Sequence, residues 1–297
     1  MKIRPCVITV LVFLLSLVTP ARPATLMSNA FLYVDGLNGN DDSNSGTSSS
    51  PWATFAPVFN YLCYQNFGNG YAAEIFVSNA SSISAVGGVG GNFYMNCDPQ
   101  GFAFVILNLG GGTLVPAPGY DAITIANNQT KDGYGGGAFL VTNGTLTCSG
   151  GGAALHVTSG NAVIWSGGGA LTMGSCPGGA HIFADGTPAR VYVNGGYTIG
   201  GNAAYEWAAT AGGGIDLGSP ATVTCNGSLL YSGAFASSSM VGWVYAPTGT
   251  ISLSGCGNVT GLRYVASTNG VINTNGGGAN FLPGTFAGRT TIGGQFN

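Results

Sequence analysis

Apolar positions in this chain alternate far more often than they recur with helical spacing. From residue 138 onward, short alternating runs end repeatedly on glycine. AFLVTNG closes at Gly144, ALHVTSG at Gly160 and AHIFADG at Gly186, with looser copies EWAATAG at Gly212, WVYAPTG at Gly249 and YVASTNG at Gly270. Aligned on that glycine, Phe139, Leu155, His181, Trp207, Val244 and Val265 stand five positions before it. Val141, Val157, Phe183, Ala209, Ala246 and Ser267 stand three before it. Strand side chains alternate with a period of two, so both sets share one face and are predicted inward. The same phase predicts His156, Trp243 and Tyr245 outward. The glycines recur about every 25 residues, inside the 20–45-residue range of stacked structural repeats.

One segment has the other period. Phe55, Val58, Phe59 and Leu62 fall at i, i+3, i+4 and i+7, which predicts a helix of two turns with Thr54 as N-cap. Pro57 is tolerated there because first-turn N–H groups have no intrahelical acceptor. Short strands, glycine turns and almost no other helix predict an all-β fold: a single right-handed parallel β-helix with an N-terminal capping helix. One coil cannot bury its apolar face alone, whereas stacked coils pair every backbone group around a continuous core. A β-sandwich also alternates, but unequal repeat lengths around a shared motif favour the solenoid.

Composition sharpens this picture. Only 6% of the 297 residues are charged and 53 are glycine, against about 25% charged and about 7% glycine in an ordinary domain. The hydrophobic share of 45% supplies a core, and the net charge of −3 with no run of Lys or Arg excludes a phosphate-tracking surface. Nucleic acid is therefore not an expected partner, and no basic patch invites a membrane surface. At the start, Lys2 and Arg4 precede the apolar run VITVLVFLLSLV and the small residues around Ala21. Residues 1–21 read as a secretory signal peptide, with cleavage as late as 24, because the run is too short to span a bilayer. No later segment is a membrane-span candidate, so the mature chain is expected to be secreted, extracellular or periplasmic. Residues 25–65 then form the opening strand, loop and helix, 66–284 the coils, and 285–297 a C-terminal tail.

Six cysteines follow the signal: Cys63, Cys97, Cys148, Cys176, Cys225 and Cys256. An even number in an exported chain favours disulfides over buried thiols. Cys148 with Cys176, and Cys225 with Cys256, are each separated by about one coil, where stacked Cα atoms lie within bridging distance.

The opening stretch YVDGLNGNDDSNSGTSSSPWATF (residues 33–55), with the helix after it, resembles the first segment of the pectate-lyase-like right-handed parallel β-helix superfamily. The elements are Tyr33-Val34, the Asp/Gly/Asn loop to Gly46-Thr47, Pro51-Trp52 and Thr54. The final residues FLPGTFAGRTTIGGQFN are similar to tails of exported or prophage-associated β-helix proteins. The resemblance implies a helix capping the open end of the stack. It leaves activity open, since the fold carries lyases, hydrolases, tail-spikes and adhesins.

The candidate chemistry is sparse. A glycosidase needs two facing carboxyl groups, and the coil acids are Asp121, Asp132, Asp185, Glu206 and Asp216. Asp185 lies about one coil from Glu206 and from Asp216, and the three are the catalytic candidates, with Asp185 also readable as a turn residue and Asp216 as a strand-end one. A lyase base beside calcium would fall to Arg190 or Arg263, yet no acidic cluster accompanies either. Asn40, Asp42 and Asn44 alternate as calcium ligands do, without the Gly and Glu that an EF-hand requires. Structural calcium is thus the one cofactor the loop could take, and Asx turns are the alternative. Trp243 and Tyr245 are the candidate binding residues, because an exposed aromatic with a polar tip can stack on a sugar. The sequence favours a non-catalytic, tail-spike-like surface module that binds extracellular polysaccharide or a surface protein. The alternatives are a polysaccharide lyase or glycoside hydrolase, and a purely structural spacer.

Overall fold

Backbone pairing wraps the chain into a parallel β-solenoid with three walls. The structure is a computed structural model that describes residues 25–26, 28–63, 66–67, 71–83, 93–96, 104–126 and 139–297. About half the chain is strand and the only α-helix described is Ala56–Cys63. The long wall runs through ten described strands, from Ala30–Asp35 to Gln295–Phe296. A second, eight-stranded wall runs from Phe93–Met95 to Arg289–Thr291. The third wall contains Thr113–Leu114, Gly144–Leu146, Leu171–Met173, Ala221–Cys225 and Ile251–Ser254. It joins the long wall through Arg190–Ile199, which bends at Gly195 and Gly196 (φ 107° and 156°) and serves both. Those positive φ values fall where L side chains are strained, so glycine makes the corner.

Inward residues form ladders, which is how so few charges suffice. Along the long wall Ala30, Ala73, Val105, Phe139, Ala162, Val191, Ile215, Val244, Ile272 and Phe296 follow one another in register. In the eight-stranded wall Phe93, Ile123, Leu155, Ile182 and Trp207 do the same, all fully buried. The helix closes the first coils. Phe55, Val58 and Leu62 are buried, and Phe55 and Phe59 meet Phe93 edge-on at 5.1 and 4.9 Å. Thr54 Oγ1 accepts the Ala56 N–H, as an N-cap does. Cys148–Cys176 and Cys225–Cys256 are disulfides between neighbouring coils, whereas Cys97 and residues 1–24, with the expected signal peptide, lie outside the described residues.

The glycine-anchored alignment needs two corrections. AFLVTNG and WVYAPTG belong to the long wall, and the other four copies to the eight-stranded wall. Phe183, Val265 and Ser267, predicted inward, face outward, with Ile182, Tyr264 and Ala266 turned to the core instead. The anchor glycine marks a turn, and turns of unequal length shift the strand's phase by one. Segment 285–297 also differs from a separate tail. Arg289–Thr291 pairs with Val259–Ser267 and Gln295–Phe296 with Val271–Asn273, extending two walls.

Candidate functional site

The long wall's outer face carries a row with aromatic side chains. Alternation in RVYVNGGYTI turns Arg190 and Tyr192 out and Val191 and Val193 in. On the next strand, Asp216 pairs with Tyr192, and on the one after, Tyr245 pairs with Asp216. One outward row therefore reads Val163, Tyr192, Asp216, Tyr245, Asn273. Tyr192 is 39% exposed. Two strand steps of about 4.7–4.9 Å put the tyrosines roughly 10 Å apart, with the carboxylate between them. Asp216 Oδ1 accepts the Gly218 N–H at 2.7 Å, which fixes the side chain at the end of its strand.

The adjoining row is Arg190, Gly214, Trp243. The indole of Trp243 fills the space that Gly214 leaves, since a Cβ there would lie 2.2 Å from the ring. The Arg190 guanidinium sits 5.1 Å from the indole centroid and donates to the carbonyls of Ala189 (2.7 Å) and Gly212 (3.0 Å). Arg190 thus braces Trp243 while its Nη1 is held by the turn. Together the two rows offer apolar ring surface, phenol and carboxylate groups, but no free pair of acids.

A second feature lies on the eight-stranded wall. Gly119, Gly151, Gly152, Gly178 and Gly179 floor a groove of about 290 Å³ bordered by His156, Phe183 and Tyr205. Close coil approach demands the glycines: a Cβ on Gly179 would sit 1.6 Å from the Gly152 carbonyl oxygen. His156 stacks on Phe183 at 4.5 Å and its Nδ1 lies 2.8 Å from Asp121 Oδ2. Asp121 also accepts from Ala153 N (2.6 Å) and Thr124 Oγ1 (2.9 Å). Burial works to raise its carboxyl, but the bond and charge of His156, with those two donors, hold it below the ordinary carboxylate range. These contacts make Asp121 an orienter of His156.

The catalytic candidates do not converge on a groove. Glu206 is fully buried within the coils. It accepts from Tyr197 Oη (2.6 Å) and Tyr231 Oη (2.7 Å), and lies 2.6 Å from His181 Nδ1. His181 Nε2–H donates to the Gly174 carbonyl at 2.6 Å, and Trp207 Nε1–H to Tyr197 Oη at 2.7 Å. This network is closed and serves the core. Asp185 ends a strand of the eight-stranded wall, and Asp216 stands on the long wall. Asp132 lies outside the described residues.

The opening loop spends its side chains on its own backbone. Asn40 Oδ1 accepts from Asp42 N and Ser43 N, and Asn44 Nδ2 donates to the Pro51 carbonyl. Asp41 takes the N–H groups of Ala53 and Thr54 and the Thr54 hydroxyl. Asp42 is exposed. Among the described residues no three His, Cys, Asp or Glu side chains gather as a metal site, and no helix is long and apolar enough to cross a membrane.

Sequence reasoning missed Tyr192 and the Asp121–His156 pair. The alternation in RVYVN marks Tyr192 as outward, but its partners arrive from later coils. Asp121 and His156 are 35 residues apart and meet only through stacking. The fold defines the class of protein, a parallel β-solenoid with an N-terminal helix. No family model, curated protein or solved structure matches the chain.

Proposed function

We propose that the chain is an exported β-solenoid that binds glycans, without cleaving them, on the outer face of its long wall. The row Tyr192–Asp216–Tyr245, with Trp243 beside it, carries the reading. Sugar rings have an apolar C–H face and a hydroxyl rim, so ring stacking and a carboxylate acceptor suit them together. Export is supported by the two disulfides, which persist in oxidising compartments, and by the signal-like first 21 residues. Among the described residues Glu206 is enclosed, and Asp185 and Asp216 stand on different walls, which supports binding without cleavage.

The test is a panel of chitin, cellulose, xylan and polygalacturonate scored for protein retention and for reducing-end or unsaturated products. Retention without products is expected. Product release, or passage through the whole panel without retention, refutes the reading.

A further inference from the structure

The third wall carries a different chemistry. Pairing places Thr113, Thr145, Thr172, Thr198, Thr224 and Ser254 in one unbroken register across six neighbouring strands. All six are at least partly exposed, while Leu114, Leu146, Met173 and Ile199 beside them in sequence are buried. Each of the first five presents a hydroxyl and a methyl, and the row repeats at the strand spacing of about 4.7–4.9 Å. None of the six hydroxyls is hydrogen-bonded to another described residue, whereas Thr142 and Thr147 close by are tied to backbone carbonyls. No charged residue lies in the parts of the six strands that build this wall.

Two further observations bear on what such a row meets. Thr198 and Thr224 of the row also line, with Gly169, Ala170, Gly195 and Gly196, an open groove of about 350 Å³ that Ser166 borders. Both described disulfides join coils at the ends of this wall's strands. Cys148 and Cys176 follow the Gly144–Leu146 and Leu171–Met173 strands, and Cys225 and Cys256 close the next such pair. Two of the five strand-to-strand steps of this row are therefore covalently tied.

A neutral row with a fixed repeat has its complement in a ligand that is itself periodic. No aromatic ring stands in the row, so sugar stacking is not offered there. Hydroxyls at one strand spacing can each hold a water, and the intervening methyls favour caged, ordered water over bulk. That repeat lies close to the oxygen repeat along the a axis of hexagonal ice. We propose that this wall binds the surface of crystalline water. The proposal does not depend on the glycan reading, since it uses another wall and other residues.

The experiment uses the full exported chain with its disulfides intact, in nanolitre osmometry and in partition into a slowly growing ice front. The expected result is a thermal hysteresis gap, faceted crystals and enrichment in the ice. Thr172→Tyr and Thr198→Tyr, together, should abolish most of the gap by breaking the row's flat repeat. Tyrosine suits an outward strand position, and circular dichroism with a melting midpoint near wild type checks the fold. The proposal is overturned if the wild type gives no gap and stays in the liquid, or if the folded double variant keeps the full gap. It is equally overturned if the double variant loses retention on crystalline cellulose or chitin while hysteresis is unchanged.

Discussion

Glu206 shows how much a single residue can depend on distant partners. Its carboxyl is enclosed by His181, Tyr197 and Tyr231, residues that arrive from three other strands. A buried charge stripped of a partner is costly. Glu206→Ala is therefore expected to lower unfolding free energy by about 3–5 kcal/mol, read from the denaturant midpoint. Burial, and then the negative Glu206, push the Tyr197 and Tyr231 hydroxyls well above their ordinary 10. A raised folded-state value gives stability that is complete below pH 10 and lost as pH climbs beyond it. Alkaline titration should show two tyrosines that ionise only with unfolding. Asp35 gives the opposite sign. Desolvation raises its carboxyl, yet bonds from Asn79, Asn38 and Leu37 bring it down to about 2. Its contribution is present above the ordinary 3.8 and fades as pH falls toward 2, so Asp35→Asn should flatten the acid limb of the melting curve. Only part of each environment can be read from sequence: Leu37 and Asn38 are local to Asp35, but Asn79, and His181 and Tyr231 around Glu206, arrive from other coils.

At the scale of elements, local pattern is a better guide. The helix Ala56–Cys63 was legible because its apolar stripe and its cap lie within ten residues of one another. The 33–55 loop was legible as a folded segment, and Asp41 explains its job. By holding Ala53, Thr54 and the Thr54 hydroxyl, it fixes where the helix begins. Asp41→Ala removes a charged acceptor from these donors, and a loss of about 1.5–3 kcal/mol in thermal or denaturant unfolding is expected. Strand phase was less legible. Pairing in the eight-stranded wall shifts register between Cys176 and Ala180, between Ala203 and Tyr205, and between Leu230 and Ala234. Such irregularities let His181 and Ile182 both be buried as the strand turns a corner, which strict alternation forbids.

For the whole molecule, the repeat of about 25 residues and the scarcity of charge were enough to imply a stack of coils. What they could not supply was the division into three walls, since the same heptad motif serves two of them. The consequence for function is large: Asp185 and Asp216 look like neighbours in the repeat but occupy different faces. The disulfides bind the stack lengthwise, closing loops separated by 28 and 31 residues. Chain-entropy arguments assign a loop of that size about 3–4 kcal/mol. Replacing Cys225 and Cys256 together by Ser should lower the denaturant midpoint accordingly, with the solenoid's strand signal retained at low denaturant.

The long wall's aromatic row remains the centre of the account, and affinity electrophoresis through gels containing each polysaccharide of the panel tests it most directly. The wild type should be retarded in at least one gel. Tyr192→Ala with Tyr245→Ala should weaken retardation by at least about tenfold in apparent Kd, roughly 1.4 kcal/mol. His156→Ala, on the other wall, reports whether the groove is used instead. Equal retardation of the wild type and the folded tyrosine variant would contradict the account, as would retardation lost in His156→Ala alone.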